Sequence, residues 1–306
     1  LPDMRLKVLF SFLPAEIISA AVSRNREKEE ERVIISIGIF GFGKTGRVVA
    51  QEVMEDKSCH LSWVIRKSHR NEGEYASHLC GLESEQGKIF SIDSIDPKVF
   101  FREHPVDVIV DFSINSAVSY YKHAAETGTR IVSAISHYEK DQMEQLKALG
   151  RRVAVLYSPN ITLGINFLIE VSKVLQRIAP NADIEIIEEH FREKKDVSGT
   201  ALRIAEDLGL DVNKHVNSIR VGGIVGKHEV IFGLPNQTIR IIHESINRGA
   251  FGQGAIYAAK WLMNKPPGVY TMEDAVMLDV ARNRRVFEMG SDMTAGKLKS
   301  GQLARF

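Results

Sequence analysis

The chain is short of cysteine, of net charge and of uninterrupted apolar sequence, and each shortage removes a class of function. Its two cysteines, Cys59 and Cys80, stand outside any CxxC spacing, which argues against a disulfide framework and a structural zinc site and fits a reducing, cytoplasmic setting. A net charge of +1 over 306 residues leaves no broad basic field for nucleic acid and no acidic excess pointing to disorder. The clusters Arg151-Arg152 and Arg282-Asn283-Arg284-Arg285 read as solvated surface. The apolar stretch 8–22 follows Arg5 and Lys7 and loosely mimics a signal peptide, but Pro14 and Glu16 interrupt it and it is too short to span a membrane. Leu1-Pro2-Asp3 ahead of Met4 reads as an upstream extension or scar, and residues 24–32 as a charged linker or a frayed helix, so residues 1–32 are set apart as an N-terminal extension. With 44% apolar residues the remainder can bury one large core or two moderate ones, and its length favours two domains.

A β-branched run, Val33-Ile34-Ile35-Ser36-Ile37, leads into glycines and then into helical spacing over residues 47–54, which predicts a strand-to-helix turn of the kind that binds phosphate. Two motifs overlap there. Gly41-Phe42-Gly43-Lys44-Thr45-Gly46 fits the GxGxxG dinucleotide fingerprint, and residues 38–45 fit the GxxxxGK[ST] phosphate loop equally well. Val108-Ile109-Val110-Asp111 would serve the second motif as a metal-holding strand. The discriminator is the next strand, Leu61-Ser62-Trp63-Val64-Ile65. It ends in Arg66-Lys67 about 20 residues after Gly46, where a Rossmann fold meets the adenosine ribose. Two cations at that point favour a 2′-phosphate, hence NADPH, with NADH as the alternative. Further strands over 106–113, 130–133 and 153–157 alternate with helices over 116–127 and 139–149, which predicts a doubly wound parallel sheet.

A different chemistry sits in Glu188-Glu189-His190-Phe191-Arg192-Glu193-Lys194-Lys195-Asp196-Val197-Ser198-Gly199-Thr200-Ala201. An imidazole and an ammonium lie four residues apart, just before a Ser-Gly-Thr turn that opens a helix. The bare N–H groups and positive dipole end of that helix, with Gly199 and Thr200, suit a carboxylate, and His190 suits proton transfer near neutral pH. Around it, residues 165–177 and 201–208 have helical periodicity, while 183–188, 218–232 and 238–245 have strand character. The expected class is therefore α/β, an N-terminal Rossmann doubly wound parallel sheet plus a C-terminal α+β domain with an open mixed sheet. His228 and His243 fall in strand-like runs and read as structural histidines, so no metal is expected.

Six motifs in order carry a resemblance. They are Gly41-x-Gly43-x-x-Gly46-Arg47; Asp111-Phe112-Ser113; the run 158–166 (Ser-Pro-Asn-Ile-Thr-Leu-Gly-Ile-Asn); the segment 188–201; the run 222–232; and 243–261 with Arg248, Phe251 and Gly254. From about Val33 to Val276 the chain resembles the dihydrodipicolinate (tetrahydrodipicolinate) reductase family of lysine and diaminopimelate biosynthesis. The resemblance implies NAD(P)H-dependent reduction of a cyclic imine dicarboxylate, with His190 as general acid, Lys194 binding substrate, and Gly199 and Thr200 holding one carboxylate. It implies dinucleotide contacts from Gly41, Gly43, Lys44, Thr45, Gly46, Arg66, Lys67, Phe112 and Ser113. Ser158, Asn160, Arg248 and Phe251 would line the nicotinamide side. By the same resemblance residues 33–160 with 249–276 form the dinucleotide domain and 161–248 the substrate and oligomerisation domain of a homotetramer. Residues 277–306 remain as a C-terminal tail. Neither a membrane nor nucleic acid is expected as a partner.

Three positions depart from the family pattern. Phe191 stands where a second histidine is usual, the Asp196 to Thr200 loop is one residue shorter and lacks proline, and Ile135 replaces a threonine expected near the nicotinamide. They leave open a reductase of a related imine, or a non-catalytic NADP-binding protein of the same fold.

Overall fold

The computed structural model describes residues 34–277; the N-terminal extension and the tail beyond Met277 lie outside the described residues. Seven strands form one parallel sheet: β1 (Ile35–Phe40), β2 (Cys59–Arg66), β3 (Lys88–Ser91), β4 (Val108–Asp111), β5 (Arg130–Ser133), β6 (Ala154–Tyr157) and β11 (Gly268–Tyr270). Their order is β11-β6-β5-β4-β1-β2-β3. The chain leaves β1 toward β3 and returns on the other side through β4, so the winding reverses between β1 and β4. Ligands bind at that crevice in open α/β sheets. At the other, N-terminal ends of these two strands Asp107 ties them together: its carboxylate accepts from the Ser36 backbone N–H (2.8 Å) and hydroxyl (2.7 Å).

Both faces of this sheet are covered, which is why its strands are apolar throughout rather than alternating. On one face lie α1 (Lys44–Glu55), through Val49, Ala50 and Val53, and a late helix, Gly249–Leu262, through Ala255, Ala258 and Ala259. On the other lie α2 (Pro97–Glu103), α3 (Val118–Ala125) and α4 (Lys140–Leu149), with Phe101, Tyr121 and Leu146 among the buried anchors. Sequence periodicity anticipates most of these elements. It misses β3, α2 and β11, because runs of three to seven residues are too short to show a period. It also overextends β4, since the Asp111 carboxylate turns back to accept the Ser113 N–H (2.6 Å) and ends the strand.

The segment between the two halves of this layer folds around a second sheet of order β10-β9-β7-β8, with β7 (Asp183–His190), β8 (Val216–Arg220), β9 (Lys227–Leu234) and β10 (Gln237–Glu244). β9 runs antiparallel to β7 and β10, while β8 is parallel to β7, which makes the sheet mixed. α5 (Leu163–Ile178) and α6 (Gly199–Asp207) cover one face, burying Ile165, Leu168 and Ile204 against Ile184, Ile186, Val230 and Phe232. The opposite face is open and carries Ile219 and Ile242, 43% and 54% exposed. β7 runs two residues beyond the sequence expectation, so His190 is its last residue rather than part of the following loop. The Gly249–Leu262 helix, α7, returns the chain to the first sheet and starts three residues before the expected 252. Among the described residues no helix is long and apolar enough to cross a membrane.

Candidate active site

The glycine turn after β1 is built by close approach of backbone. Gly41 adopts φ +91°, and a side chain there would stand 2.9 Å from the Phe112 and Ser113 backbone; at Gly46 a Cβ would lie 2.0 Å from the Gly41 carbonyl oxygen. Gly43, by contrast, faces open space at the start of α1, and no side chain caps that helix. Its first N–H groups are therefore left for an anion. Phe42, Gly43, Lys44, Arg47, Arg66 and Arg70 line one cleft beside this turn. Arg66 donates Nη1 to the Arg70 carbonyl (3.1 Å), and its Nε is buried without a partner. Burial, and then the nearby Arg70 and Arg47 charges, lower the Arg66 pKa from its ordinary value.

Other expected contacts sit in separate hollows. Lys67 lines one with Arg66, Ser113 and Tyr120. Thr45, Phe112 and Ser113 line another with Ala134, Ile135 and Ser136. Ile135 is 6% exposed and joins the second apolar cluster. Behind these loops runs a buried chain of hydroxyls. Tyr121 donates to Asp111 and lies 3.4 Å from the Tyr138 hydroxyl, which in turn meets Ser133 Oγ at 2.7 Å. Burial raises the Asp111 carboxyl to about 6.

The second centre is the polar end of the four-stranded sheet. Glu188 and His190 alternate along β7 and so share the face that carries Ile184 and Ile186. Register places Ser218 and His228 opposite Glu188, and Arg220 opposite His190. Glu188 is fully buried; it accepts from Arg220 Nη2 (2.6 Å) and Nη1 (2.9 Å), Ser218 Oγ (2.7 Å) and the Ser198 N–H (3.1 Å). Burial alone would raise this carboxyl, but the bonds from Arg220, Ser218, His190 and Ser198 hold it down at about 2. An ionised carboxylate only accepts, so His190 Nδ1, 2.5 Å from it, carries the shared hydrogen. Nε2 is the other nitrogen, and it lies beside Gly226, where a Cβ would come within 3.1 Å of it. His228 stands edge-on to His190, with ring centroids 5.3 Å apart, and its Nε2 meets Ser198 Oγ at 2.9 Å. Burial, helped by His190, pushes His228 down to about 3 and keeps it neutral.

Lys194 lies in the loop after β7, its carbonyl accepting from Arg220 Nε (2.9 Å), and its charge also acts on His228. Gly199 and Thr200 open α6, and Thr200 Oγ1 accepts from Asn160 Nδ2 at 2.9 Å, joining the turn after β6 to this end of the sheet. Ser158 closes that turn by donating to the Asn160 carbonyl (2.6 Å). Arg248 is exposed just ahead of α7, and Phe251 packs on the first apolar cluster. Phe191, next after His190, is 38% exposed.

Sequence reasoning missed Arg220, Ser218 and the part played by Glu188. The period-two spacing of Glu188 and His190 was a usable signal. The partnership with Arg220 was not, because it depends on the β7–β8 register 30 residues away in the chain. Arg47 and Arg70 also line the cleft beside the glycine turn, and both are close in sequence to residues already singled out there, Gly46 and Arg66.

Comparison with known proteins covers nearly the whole described chain. The family model described as dihydrodipicolinate reductase, N-terminus, matches residues 35–161, and that described as its C-terminus matches residues 163–276. A 4-hydroxy-tetrahydrodipicolinate reductase of Buchnera aphidicola subsp. Acyrthosiphon pisum (strain Tuc7) is 30% identical over 269 residues, covering 79% of this chain and 98% of that protein. One from Caldanaerobacter subterraneus subsp. tengcongensis is 31% identical over 241 residues, covering 68% and 96%. Among solved structures, dipicolinate-bound dihydrodipicolinate reductase from Paenisporosarcina sp. TG-14 shares the fold with a TM-score of 0.65 at 21% identity, covering 79% of this chain and 99% of that one.

Proposed function

The chain belongs to the dihydrodipicolinate reductase family, and from that premise and the Glu188–His190 pair we propose that it reduces dihydrodipicolinate to tetrahydrodipicolinate in lysine and diaminopimelate biosynthesis. The reductant is a pyridine nucleotide, and NADPH is the form assigned here. Three features fit that cofactor: the uncapped start of α1 at Gly43, the unpartnered Arg66 Nε, and the cations Lys44, Arg47 and Arg70 in the same cleft. Gly41, Gly43, Lys44, Thr45 and Gly46 would hold the pyrophosphate, and Arg66 with Lys67 the 2′-phosphate. Phe112 and Ser113 would line the dinucleotide, with Ser158, Asn160, Arg248 and Phe251 on the nicotinamide side. When bound, NADPH supplies the hydride.

The chain's residues supply charge and a proton. Reduction of a conjugated imine builds negative charge on carbon and nitrogen, which a cation and a proton donor facing it stabilise. Glu188, anchored by Arg220, fixes His190 through Nδ1 and so leaves Nε2–H as the transferable proton of the imidazolium. Lys194 supplies the cation, and Gly199 with Thr200 takes one substrate carboxylate at the start of α6. In this reading residues 33–160 and 249–276 are the dinucleotide domain. Residues 161–248 bind substrate, and their open sheet face, with Ile219 and Ile242, is where copies pair into a homotetramer.

The observation that carries the proposal is the 2.5 Å contact of His190 with a carboxylate held ionised by Arg220. The test is to mix the protein with NADPH and dihydrodipicolinate formed in situ and follow nicotinamide absorbance. Oxidation that depends on protein and substrate is expected; no oxidation with either NADPH or NADH defeats the assignment. A related cyclic imine is the second reading. Buried Ile135, in the hollow with Thr45 and Phe112, favours it, and the same assay with that imine as competitor separates the two.

A further inference from the structure

We infer that Asn160 is a positioning residue which fixes the direction in which the Thr200 hydroxyl donates, an inference that rests on the substrate site proposed above. The Asn160 side-chain oxygen accepts from the Thr162 backbone N–H (3.1 Å) and from Thr162 Oγ1 (2.7 Å). A backbone N–H can only donate, so the atom facing it is the amide oxygen, and the amide orientation is settled by the hydrogen-bond logic. Nδ2 is then the atom 2.9 Å from Thr200 Oγ1.

An amide NH2 cannot accept a hydrogen bond. Thr200 must therefore accept from Asn160, and its own proton is turned to some other acceptor. Among the described residues no acceptor takes that proton, and no side chain caps the helix that Thr200 opens. The hydroxyl is left as a donor at the start of α6, beside the Ser198 to Thr200 turn, and the bond it accepts strengthens the bond it gives. The turn that carries Asn160 is itself held: the Asn160 carbonyl accepts from Ser158 Oγ (2.6 Å) and Asn166 Nδ2 (2.9 Å). Asn160 thus sets a substrate-facing donor from a turn on the dinucleotide side, without touching the substrate carboxylate.

The test measures pyridine-2,6-dicarboxylate binding by calorimetry to the full chain saturated with NADPH, for wild type, Asn160→Ala, Asn160→Asp, Thr200→Val and the two doubles. Asn160→Asp keeps the oxygen that Thr162 requires, so the turn persists, but its second oxygen captures the Thr200 proton. Its affinity for the dicarboxylate is expected to fall about tenfold or more, and that of Asn160→Ala about threefold. In the Thr200→Val background the Asn160→Ala penalty disappears and the Asn160→Asp penalty shrinks. Equal penalties in both backgrounds, or wild-type affinity in Asn160→Asp, would overturn the inference while leaving the substrate site standing. If the wild type binds no dicarboxylate, the site itself is misread and the inference goes with it.

Discussion

The glycine turn after β1 and the polar end of the four-stranded sheet manage charge by opposite means. In the turn 41–46, Gly41 and Gly46 make room by lacking side chains, and no side chain caps the helix that follows. At the sheet end, His190 of β7 and Ser218 and Arg220 of β8 converge on Glu188. The first site is local in sequence and intolerant of added atoms. The second is non-local and intolerant of lost ones. That difference sets what will break each of them.

The largest expected effect is at the sheet. Glu188→Ala empties a buried carboxylate site and leaves the partly buried Arg220 guanidinium without its counter-charge, and should cost about 3 kcal/mol of stability in denaturant titration. A loss within the noise of a surface substitution would mean that Arg220 finds another partner. The pH dependence should follow the same centre. His228, held to about 3 against an ordinary 6.5, is protonated in the unfolded chain first, so stability is complete above about pH 6.5 and falls as pH drops toward 3. Glu188, held at about 2, adds a second loss below its ordinary 4.5. Asp111 works in the opposite sense, since its raised value favours the folded state as pH falls through about 6. Unfolding free energies measured across this range should therefore flatten in His228→Gln and steepen in Asp111→Asn. An unchanged profile in both variants would rule out these two groups as its source.

The turn should show the complementary behaviour. Gly46→Val drives a side chain into the Gly41 carbonyl and should weaken NADPH by about 1 to 3 kcal/mol, whereas Gly43→Ala, with nothing within 4 Å, should leave folding unaffected. Equal effects of the two would show that the turn relaxes and that close approach is not its design. The finest contrast lies at the cleft edge. Replacing Arg66 and Lys67 by uncharged residues should weaken NADPH relative to NADH by about 1 to 3 kcal/mol, read from paired titrations. If Arg66→Ala alone reproduces the whole change, the charge that discriminates lies in the cleft with Arg47 and Arg70, and Lys67 stands outside it.

What could be read from the sequence divides along the same line. The GxGxxG turn, the basic strand end at Arg66 and the alternation of strands and helices are features of neighbouring residues, and spacing alone exposes them. The segment from Glu188 to Thr200 was legible for that reason too, since its histidine, lysine and helix start are contiguous. Arg220 and Ser218 reach Glu188, and Ser133 comes opposite Asp111, only through strand pairing, while Tyr121 and Tyr138 join that group through packing on the first sheet. The Asn160 bond to Thr200 crosses 40 residues of chain. No periodicity in one sequence encodes such contacts.

The central claim is that Glu188 acts through His190, as one proton-donating unit at the end of the sheet. Steady-state NADPH oxidation with dihydrodipicolinate should be measured for His190→Gln, Glu188→Gln and the double variant, with Glu188→Gln chosen because it keeps a hydrogen-bonding side chain beside Arg220. His190→Gln should lower turnover about 100-fold, Glu188→Gln by a smaller factor, and the double variant no further than His190→Gln alone. Penalties that multiply in the double variant, or a His190→Gln protein that turns over like the wild type, would contradict it.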